Sequence, residues 1–157
     1  NSFAMEHPEI ISRAAELYGS QSVVAAIDLK KNLFVGYEAV THSVTKKTGR
    51  DPVRTAVGMA AAGAGEIFLN CVDRDGTMQG FDIKLIQAVT SCVNIPVIAC
   101  GGAWTLEHLE EAVKQGHASA VAAGSMCVFQ GKHRAVLITY PEYEDIRRIF
   151  NKEQKPR

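Results

Sequence analysis

Short apolar runs alternate with amphipathic segments along this chain. The apolar runs have the length of buried strands and cover residues 23–27, 66–72, 96–100 and 118–123. Between them, apolar residues recur at the spacing of one helix face, as they do at Val53, Ala56 and Val57. Near-continuously apolar strands separated by helices are typical of parallel sheets with both faces covered, so the pattern predicts the α/β fold class.

Polar caps mark where several helices are expected to begin. Asp51 followed by Pro52 has the form of an N-cap with proline in the first turn, and Asp82 and Thr105 are the predicted caps of two further helices. Residues 33–41 instead resemble a small hairpin that elaborates the loop after the first strand. Further helices are predicted over about residues 8–18 and after residue 141.

The number of units suggests half of a larger architecture. Four strand–helix units occupy 157 residues, whereas a TIM barrel of eight units takes about 250. We therefore expect one domain, residues 1–157, with the architecture of a half barrel that begins inside a loop. A compact doubly wound sheet of four strands is the alternative. Because a half barrel leaves strand edges unpaired, self-association or docking onto a complementary half barrel is expected.

Composition removes several classes of function. The chain is 46% hydrophobic and carries 17 Lys and Arg against 17 Asp and Glu, so no net charge attracts it to nucleic acid or to a membrane surface. No apolar run approaches the length of about 20 residues that a membrane span needs, and we expect a cytosolic protein. The cysteines lack zinc-like spacing, so no metal is expected; they are Cys71, Cys92, Cys100 and Cys127.

Polar residues follow the predicted strands, where the chemistry of parallel α/β folds gathers. Asp28 comes directly after the first apolar run and has no helix behind it to cap, so we interpret it as a general acid or base. The turn over residues 73–77 is also acidic, but Asp-Gly is ordinary turn chemistry. For that turn both interpretations stay open.

Two small-residue turns indicate a phosphate site. Gly101-Gly102 and Gly124-Ser125 each lie between a strand and a predicted helix, where backbone N–H groups can approach an anion. Adjacent turns of this kind form the phosphate site of many TIM barrels, so the expected ligand is a phosphorylated small molecule. Trp104 either covers this site or packs in the interior.

Six short motifs follow one another along the chain: GSQ at 19–21, VAAIDLK at 24–30, GAGEI at 63–67, DRDGT at 73–77, GFD at 80–82 and PVIACGG at 96–102. In this order they resemble the cyclase subunit of imidazole glycerol phosphate synthase, a TIM barrel of histidine biosynthesis that works with a glutaminase. The resemblance covers residues 1–130 and implies that the chain holds strands five to eight of the barrel.

The resemblance also implies roles for single residues. Asp28 matches the aspartate that acts as general acid and base in ring closure, and Glu66 matches a charged residue that gates the ammonia channel from the glutaminase. One phosphate and substrate site falls on Asn70, Asp75, Gly76, Gly102, Ala123 and Gly124, and part of a second falls on Asn1 and Ser2. Neither a cofactor nor a metal is implied.

The chain departs from the family pattern at four places. Asn70 and Cys100 stand where the family usually has threonine and serine, and Gly124 stands where it has serine. Residues 128–141 replace the usual ending and resemble a paralogous branch encoded with surface-polysaccharide genes. That branch is thought to supply ammonia to an enzyme that amidates a nucleotide-linked sugar.

Three functions are therefore weighed. The first is the cyclase, which uses glutamine-derived ammonia to form imidazole glycerol phosphate. The family's partner acid lies on strand one, so the 157-residue chain alone is expected to be inactive. The second is a scaffold that docks a glutaminase and conducts ammonia to another enzyme. The third is a phosphate-binding half barrel without activity.

Overall fold

A computed structural model describes residues 2–32, 36–131 and 133–151. The strands are β1 (Val24–Asn32), β2 (Gly36–Thr41), β3 (Lys46–Arg50), β4 (Glu66–Cys71), β5 (Val97–Cys100), β6 (Ala120–Ala122), β7 (Phe129–Gln130) and β8 (Ala135–Val136). The helices are α1 (Ser2–Glu6), α2 (Glu9–Tyr18), α3 (Pro52–Ala61), α4 (Ile83–Thr90), α5 (Leu106–Lys114), α6 (Ser125–Val128) and α7 (Tyr143–Phe150). A 3-10 turn at Ser20–Ser22 leads into β1.

Six of the strands form one sheet in the order β3-β2-β1-β4-β5-β6. The pairs β1–β4, β4–β5 and β5–β6 are parallel, with helices in the connections, whereas β2 and β3 are antiparallel additions beside β1. The predicted α/β class is confirmed, with a mostly parallel sheet. The four predicted strands correspond to β1, β4, β5 and β6.

The hairpin beside β1 differs from the predicted one. The prediction placed its first arm at residues 33–37, of which 33–35 lie outside the described residues, but β1 itself runs on to Asn32 and pairs with β2. The first strand was predicted to end at residue 27, and this was wrong. Its second half alternates, with Leu29 buried between the less buried Asp28 and Lys30, as a strand does when its two faces meet different surroundings.

The predicted helix caps are confirmed. The Asp51 carboxylate accepts a hydrogen bond from the Arg54 amide at 2.8 Å, and the Asp82 carboxylate accepts one from the Leu85 amide at 3.0 Å. Thr105 forms a reciprocal capping box with the backbone and ring of His108. These bonds satisfy N–H groups that a helix cannot pair internally, which fixes where α3, α4 and α5 begin.

The two faces of the sheet are covered unequally. Helices α3, α4 and α5 pack against one face, where the alternate strand residues are nearly inaccessible. These buried residues are Ala25, Ile27, Leu29, Ile67, Leu69, Cys71, Val97 and Ala99. On the other face Val24 is 51% exposed, and Ala26, Phe68 and Ile98 belong neither to the core nor to the side chains packed against it. We call this second surface the open face.

The side chain of Tyr37 connects the hairpin to the N-cap residue of α4. The Tyr37 hydroxyl of β2 donates to Asp82 Oδ2 at 2.7 Å, while Asp82 Oδ1 caps α4. The Cys71 thiol lies 3.9 Å from the same hydroxyl, and an Arg74 nitrogen lies 3.9 Å from Asp82 Oδ2. Burial, with the hydrogen bond to the Asp82 carboxylate, raises the pKa of Tyr37 above its usual value.

Replacing Tyr37 by Phe tests this contact. We expect Tyr37→Phe to lower the free energy of unfolding by about 1–2 kcal/mol at pH 7, because the Asp82 carboxylate loses a hydrogen-bond donor. A raised pKa means that the folded state favours the neutral phenol. The contribution of the Tyr37 hydroxyl to the free energy of unfolding is therefore complete below about pH 10 and declines as the pH rises beyond it. The measurement is denaturant unfolding from pH 7 to pH 11.

Tyr143→Phe is the matched control, because Tyr143 is 74% exposed. We expect that variant to unfold like the unmodified protein across the whole pH range. A difference between the unmodified protein and Tyr37→Phe that stays constant up to pH 11 contradicts the assigned direction of the Tyr37 pKa.

Candidate active site

Most of the predicted polar site residues on the strands lie in one row of residues that are paired across neighbouring strands. Asp28 pairs with Asn70, Asn70 with Cys100, and Cys100 with Ala122. Paired residues of parallel strands point to the same face, so the row crosses the open face at the carboxyl ends of β4, β5 and β6. The predicted site residues Asp28 and Asn70 thus lie side by side, with Cys100 next to Asn70.

An apolar row lies below the polar one. It consists of Ala26, Phe68, Ile98 and Ala120, again in consecutive register. Below Phe68 on β4 comes Glu66, which pairs with Val24. Glu66 stands four residues from the level of Asp28, which is about 13 Å along a parallel strand. The open face therefore has a polar carboxyl end, an apolar middle and a single carboxylate among the described strand residues at the amino end.

Asn70 is hydrogen-bonded to Asp28. Asn70 Nδ2 donates to Asp28 Oδ1 at 2.9 Å. Asn70 Oδ1 is buried, and no donor in the described ranges reaches it. The carboxylate sets this orientation, because the reverse orientation of the amide would place two acceptor oxygens against each other. Asn70 thus fixes one oxygen of the predicted general base and leaves its own carbonyl oxygen unsatisfied, which is costly for a buried group.

Cys100 lies in the same row and is not a nucleophile at neutral pH. Burial raises the pKa of its thiol, and the nearby carboxylates of Asp75 and Asp28 raise it further, while the Gly101 N–H opposes the shift. The thiol is therefore protonated at neutral pH and acts as a small, weakly polar group.

The turn over residues 73–77 divides into anchors and exposed residues. The Asp73 carboxylate accepts a hydrogen bond from the Lys31 amide of β1, and the Arg74 guanidinium donates to the Gly80 carbonyl at 3.0 Å. Asp75 and Gly76 remain exposed. Asp73 and Arg74 are thus bonded to neighbouring backbone and are not simply solvated, whereas Asp75 and Gly76 are accessible to a ligand.

The two glycine turns are built differently. Gly101 and Gly102 have φ values of +99° and +101°, and a Cβ at either would collide with the carbonyl oxygen of Cys71 or Gly80. Glycine is needed there by the backbone alone. Gly124 has φ −104°, and nothing lies within 4 Å of where its Cβ would be. The expectation that both turns lie at helix starts holds for Gly124, which precedes the single turn of α6, whereas Gly102 lies four residues before α5.

Ser2 lies near the edge of the sheet that is opposite to these turns. Its hydroxyl oxygen accepts a hydrogen bond from the His42 amide at 2.7 Å, which ties α1 to the β2–β3 turn. In the sheet order, β2 and β3 are separated from β5 and β6 by β1 and β4. The two predicted phosphate sites thus lie on opposite sides of Asp28, although Asn1 itself is outside the described residues.

Comparison with known proteins decides the family. A family model described as "Histidine biosynthesis protein" matches residues 1–134. The chain belongs to this family. It is 46% identical over 142 residues to a Pseudomonas aeruginosa protein named "Putative imidazole glycerol phosphate synthase subunit hisF2", which covers 90% of the chain. Over 151 residues it is 44% and 42% identical to proteins of Leptospira borgpetersenii and Leptospira interrogans, whose printed names end in "subunit HisF".

These relatives identify a HisF-type chain. The chain spans 57% of the length of the Pseudomonas protein and 59% of the length of each Leptospira protein. Within the described ranges, no group of three or more His, Cys, Asp or Glu side chains could hold a metal ion. In the same ranges, none of the helices is long and apolar enough to cross a membrane.

Two features of this HisF-type chain were not predicted from the sequence. Asn70 was treated as a departure and not as the partner of Asp28, although each is the fifth residue of its strand. Glu38 of β2 was also missed; it is a buried carboxylate that accepts hydrogen bonds from Asn32 Nδ2 at 2.8 Å and from the Gly49 amide at 3.2 Å. A glutamate within an apolar hairpin strand was the available signal.

Substitution by alanine should affect stability differently at the two glycine turns. Gly102→Ala is expected to lower the free energy of unfolding by about 2 kcal/mol or more, because of its positive φ and the collision with the Gly80 carbonyl. Gly124→Ala should change it by no more than about 0.5 kcal/mol. Denaturant unfolding measures both. Equal losses in the two variants contradict the different backbone requirements.

Proposed function

We propose that the sheet is one half of a TIM barrel, equivalent to strands five to eight. The open face carries this proposal. Its apolar residues, among them Val24, Phe68 and Ile98, lie outside the core that the helices form. In a closed barrel such residues fill the interior, with the strands' carboxyl ends forming the active-site face. A complementary half barrel, supplied by a second copy or by other polypeptide, covers them.

Within that barrel the chain acts as the cyclase subunit of an imidazole glycerol phosphate synthase. The arrangement of the open face supports this: Asp28 at the carboxyl end, an apolar row beneath it, and Glu66 at the amino end. Neutral ammonia released by a glutaminase at the Glu66 end crosses the apolar interior without gaining a proton from bulk water. It then meets the substrate at the polar row.

Asp28 moves protons in the ring-forming reaction. Its carboxylate takes a proton from the attacking nitrogen and returns it to the departing oxygen, which is general acid–base catalysis. The hydrogen bond from Asn70 holds the carboxylate in one orientation on the open face. A partner acid on strand one belongs to the complementary half, so the reaction needs the complete barrel.

Two phosphate sites hold the substrate across this carboxylate. One includes Asp75, Gly76, Gly102, Ala123 and Gly124, where backbone N–H groups reach the anion and where Asp75, Gly76 and Gly124 are exposed. The other includes Asn1 and Ser2. The Ser2 hydroxyl accepts from His42, and its own proton is a donor for a phosphate oxygen. The complex operates in the cytoplasm, where its partner is a glutaminase of the HisH type.

A second function is favoured by the altered polar row. Asn70, a protonated Cys100 and Gly124 together present a different set of groups from the family's threonine and serines. A scaffold that docks a glutaminase and conducts ammonia to another enzyme, which amidates a nucleotide-linked sugar, needs the apolar row and Glu66 but not Asp28. A half barrel that binds phosphate without activity is the third candidate.

Two substitutions distinguish chemistry from conduction. In the complete barrel with its glutaminase, Asp28→Asn should lower turnover with free ammonia about 10²-fold or more, because general acid–base groups contribute 10²–10⁴. Glu66→Ala should leave turnover with free ammonia unchanged and impair only the glutamine-dependent reaction, because Glu66 lies about 13 Å from the level of Asp28. Full activity of Asp28→Asn with ammonia excludes the cyclase and leaves the conduit.

A pair of valines tests the half barrel. Val24 lies on the open face and Val57 on α3, and they are 51% and 42% exposed. At micromolar concentration we expect the protein to self-associate or to bind a complementary half, and Val24→Asp to shift it towards monomer, since a charge is costly in an apolar interface. Val57→Asp is the control and should have no effect. Light scattering that finds a stable, well-folded monomer of the unmodified protein contradicts the proposal.

A further inference from the structure

The small sheet of β7 and β8 has a free edge that continues beyond β8. The chain stays extended there, because the amides of Leu137 and Thr139 donate to the carbonyl groups of residues 128 and 127, both at 3.0 Å. Backbone groups of successive residues in an antiparallel strand point alternately to its two sides, so those of Ile138 and Tyr140 point away from β7. Among the described residues, none of the backbone hydrogen bonds uses these two amides.

This free edge is apolar and uncharged. Val136, Ile138 and Tyr140 alternate along it and therefore share one face, and they are 73%, 67% and 78% exposed. No residue between 135 and 141 is charged. Exposed edges are usually protected by charged side chains, so an edge of this composition favours the addition of another strand. We call residues 134–142 the edge segment.

The edge segment is complementary to a second copy of itself. When two copies run antiparallel and meet at Ile138, Val136 of each copy lies opposite Tyr140 of the other, and an aromatic residue opposite a β-branched one is a favourable pair. Arg134 then lies opposite Glu142, which joins opposite charges at both ends of the contact. Shifting the register by two residues places Val136 opposite Glu142, or Arg134 opposite Tyr140, and loses this match.

The two charged residues are available for such a contact. Arg134 and Glu142 are both exposed. Neither forms an ion pair with another residue of the described ranges. Each is thus free of a competing ionic contact there.

The proline of the edge segment also fits this register. Pro141 lies opposite Ala135, at a pair whose backbone groups point away from the new contact, so its missing N–H group removes no hydrogen bond. The bonded positions are Val136, Ile138 and Tyr140, which exchange about six backbone hydrogen bonds between the two copies. Backbone, apolar and charged groups are thus matched in a single register.

We propose that two copies of the chain form a symmetric dimer by antiparallel pairing of their edge segments about Ile138. The dimer has two-fold symmetry and a continuous sheet of β7 and β8 from both copies. Two short strands bury less than the roughly 1,200 Å² of stable complexes, so the dimer is reversible, with a Kd on the order of 10 µM. The proposal does not rest on the proposed function, because β7 and β8 form a sheet separate from the one that carries the open face.

Sedimentation velocity between about 1 and 100 µM tests the dimer. The measurement uses Val24→Asp as the background, so that association through the open face does not contribute. We expect this protein to dimerise reversibly and Ile138→Lys to weaken the dimer at least about tenfold, because two ammonium groups then meet at the symmetry axis. Leu17→Lys is the control, since Leu17 of α2 is 71% exposed, and it should leave the Kd unchanged.

Charge reversal in the same background tests the register. Arg134→Glu or Glu142→Arg alone should weaken the dimer about tenfold, because each creates like-charged pairs at both ends. The double variant should restore the Kd to within about threefold, since it re-forms the pairs with their signs exchanged. All these side chains are exposed, so folding should be unaffected, and circular dichroism checks this.

Three results overturn the proposal. A Val24→Asp protein that stays monomeric at the highest concentration leaves the edge segment to a strand of another protein. A dimer that Ile138→Lys does not weaken lies elsewhere on the surface. A double variant that is no tighter than either single charge reversal contradicts the pairing about Ile138. Association of the unmodified protein that Val24→Asp alone abolishes belongs to the open face, and it supports the half barrel without supporting this dimer.

Discussion

Successive side chains of a β-strand point to opposite faces of the sheet, and in β1, β4 and β5 the helices cover only one of those faces. The buried residues of these strands on the helix side are apolar, and their burial stabilises the sheet. The alternate residues, on the open face, do not contribute to this core and need not be apolar. They can form a polar row at one end, as Asp28 and Asn70 do, and an apolar row below it.

Local signals in the sequence were sufficient for most elements. Asp51, Asp82 and Thr105 begin the helices predicted for them, because a cap and its amide lie within a few residues of each other. The end of β1 was missed because polar residues interrupt the apolar run after Ile27. Such a strand is recognisable only once it is known that one of its faces lacks a helical cover.

The candidate site was less predictable than the fold. Asp28 and Asn70 are separated by 42 positions along the chain, and their contact depends on the register of two strands, which no short motif encodes. The glycines show a related limit. Gly102 and Gly124 look alike in the sequence, yet the first is required by a neighbouring carbonyl and the second has open space around it.

In the proposed barrel, the hairpin also determines where the sheet can close. It pairs with β1 from Asp28 to Asn32 and so occupies the carboxyl half of that edge. Among the described residues, no strand pairs with the hairpin side of Val24–Ile27, a seam of about 13 Å. The outermost strand of the hairpin carries Lys46, Lys47 and Arg50, which discourage pairing with other strands. Closure on this side is thus restricted to one short seam at the amino end, below the polar row.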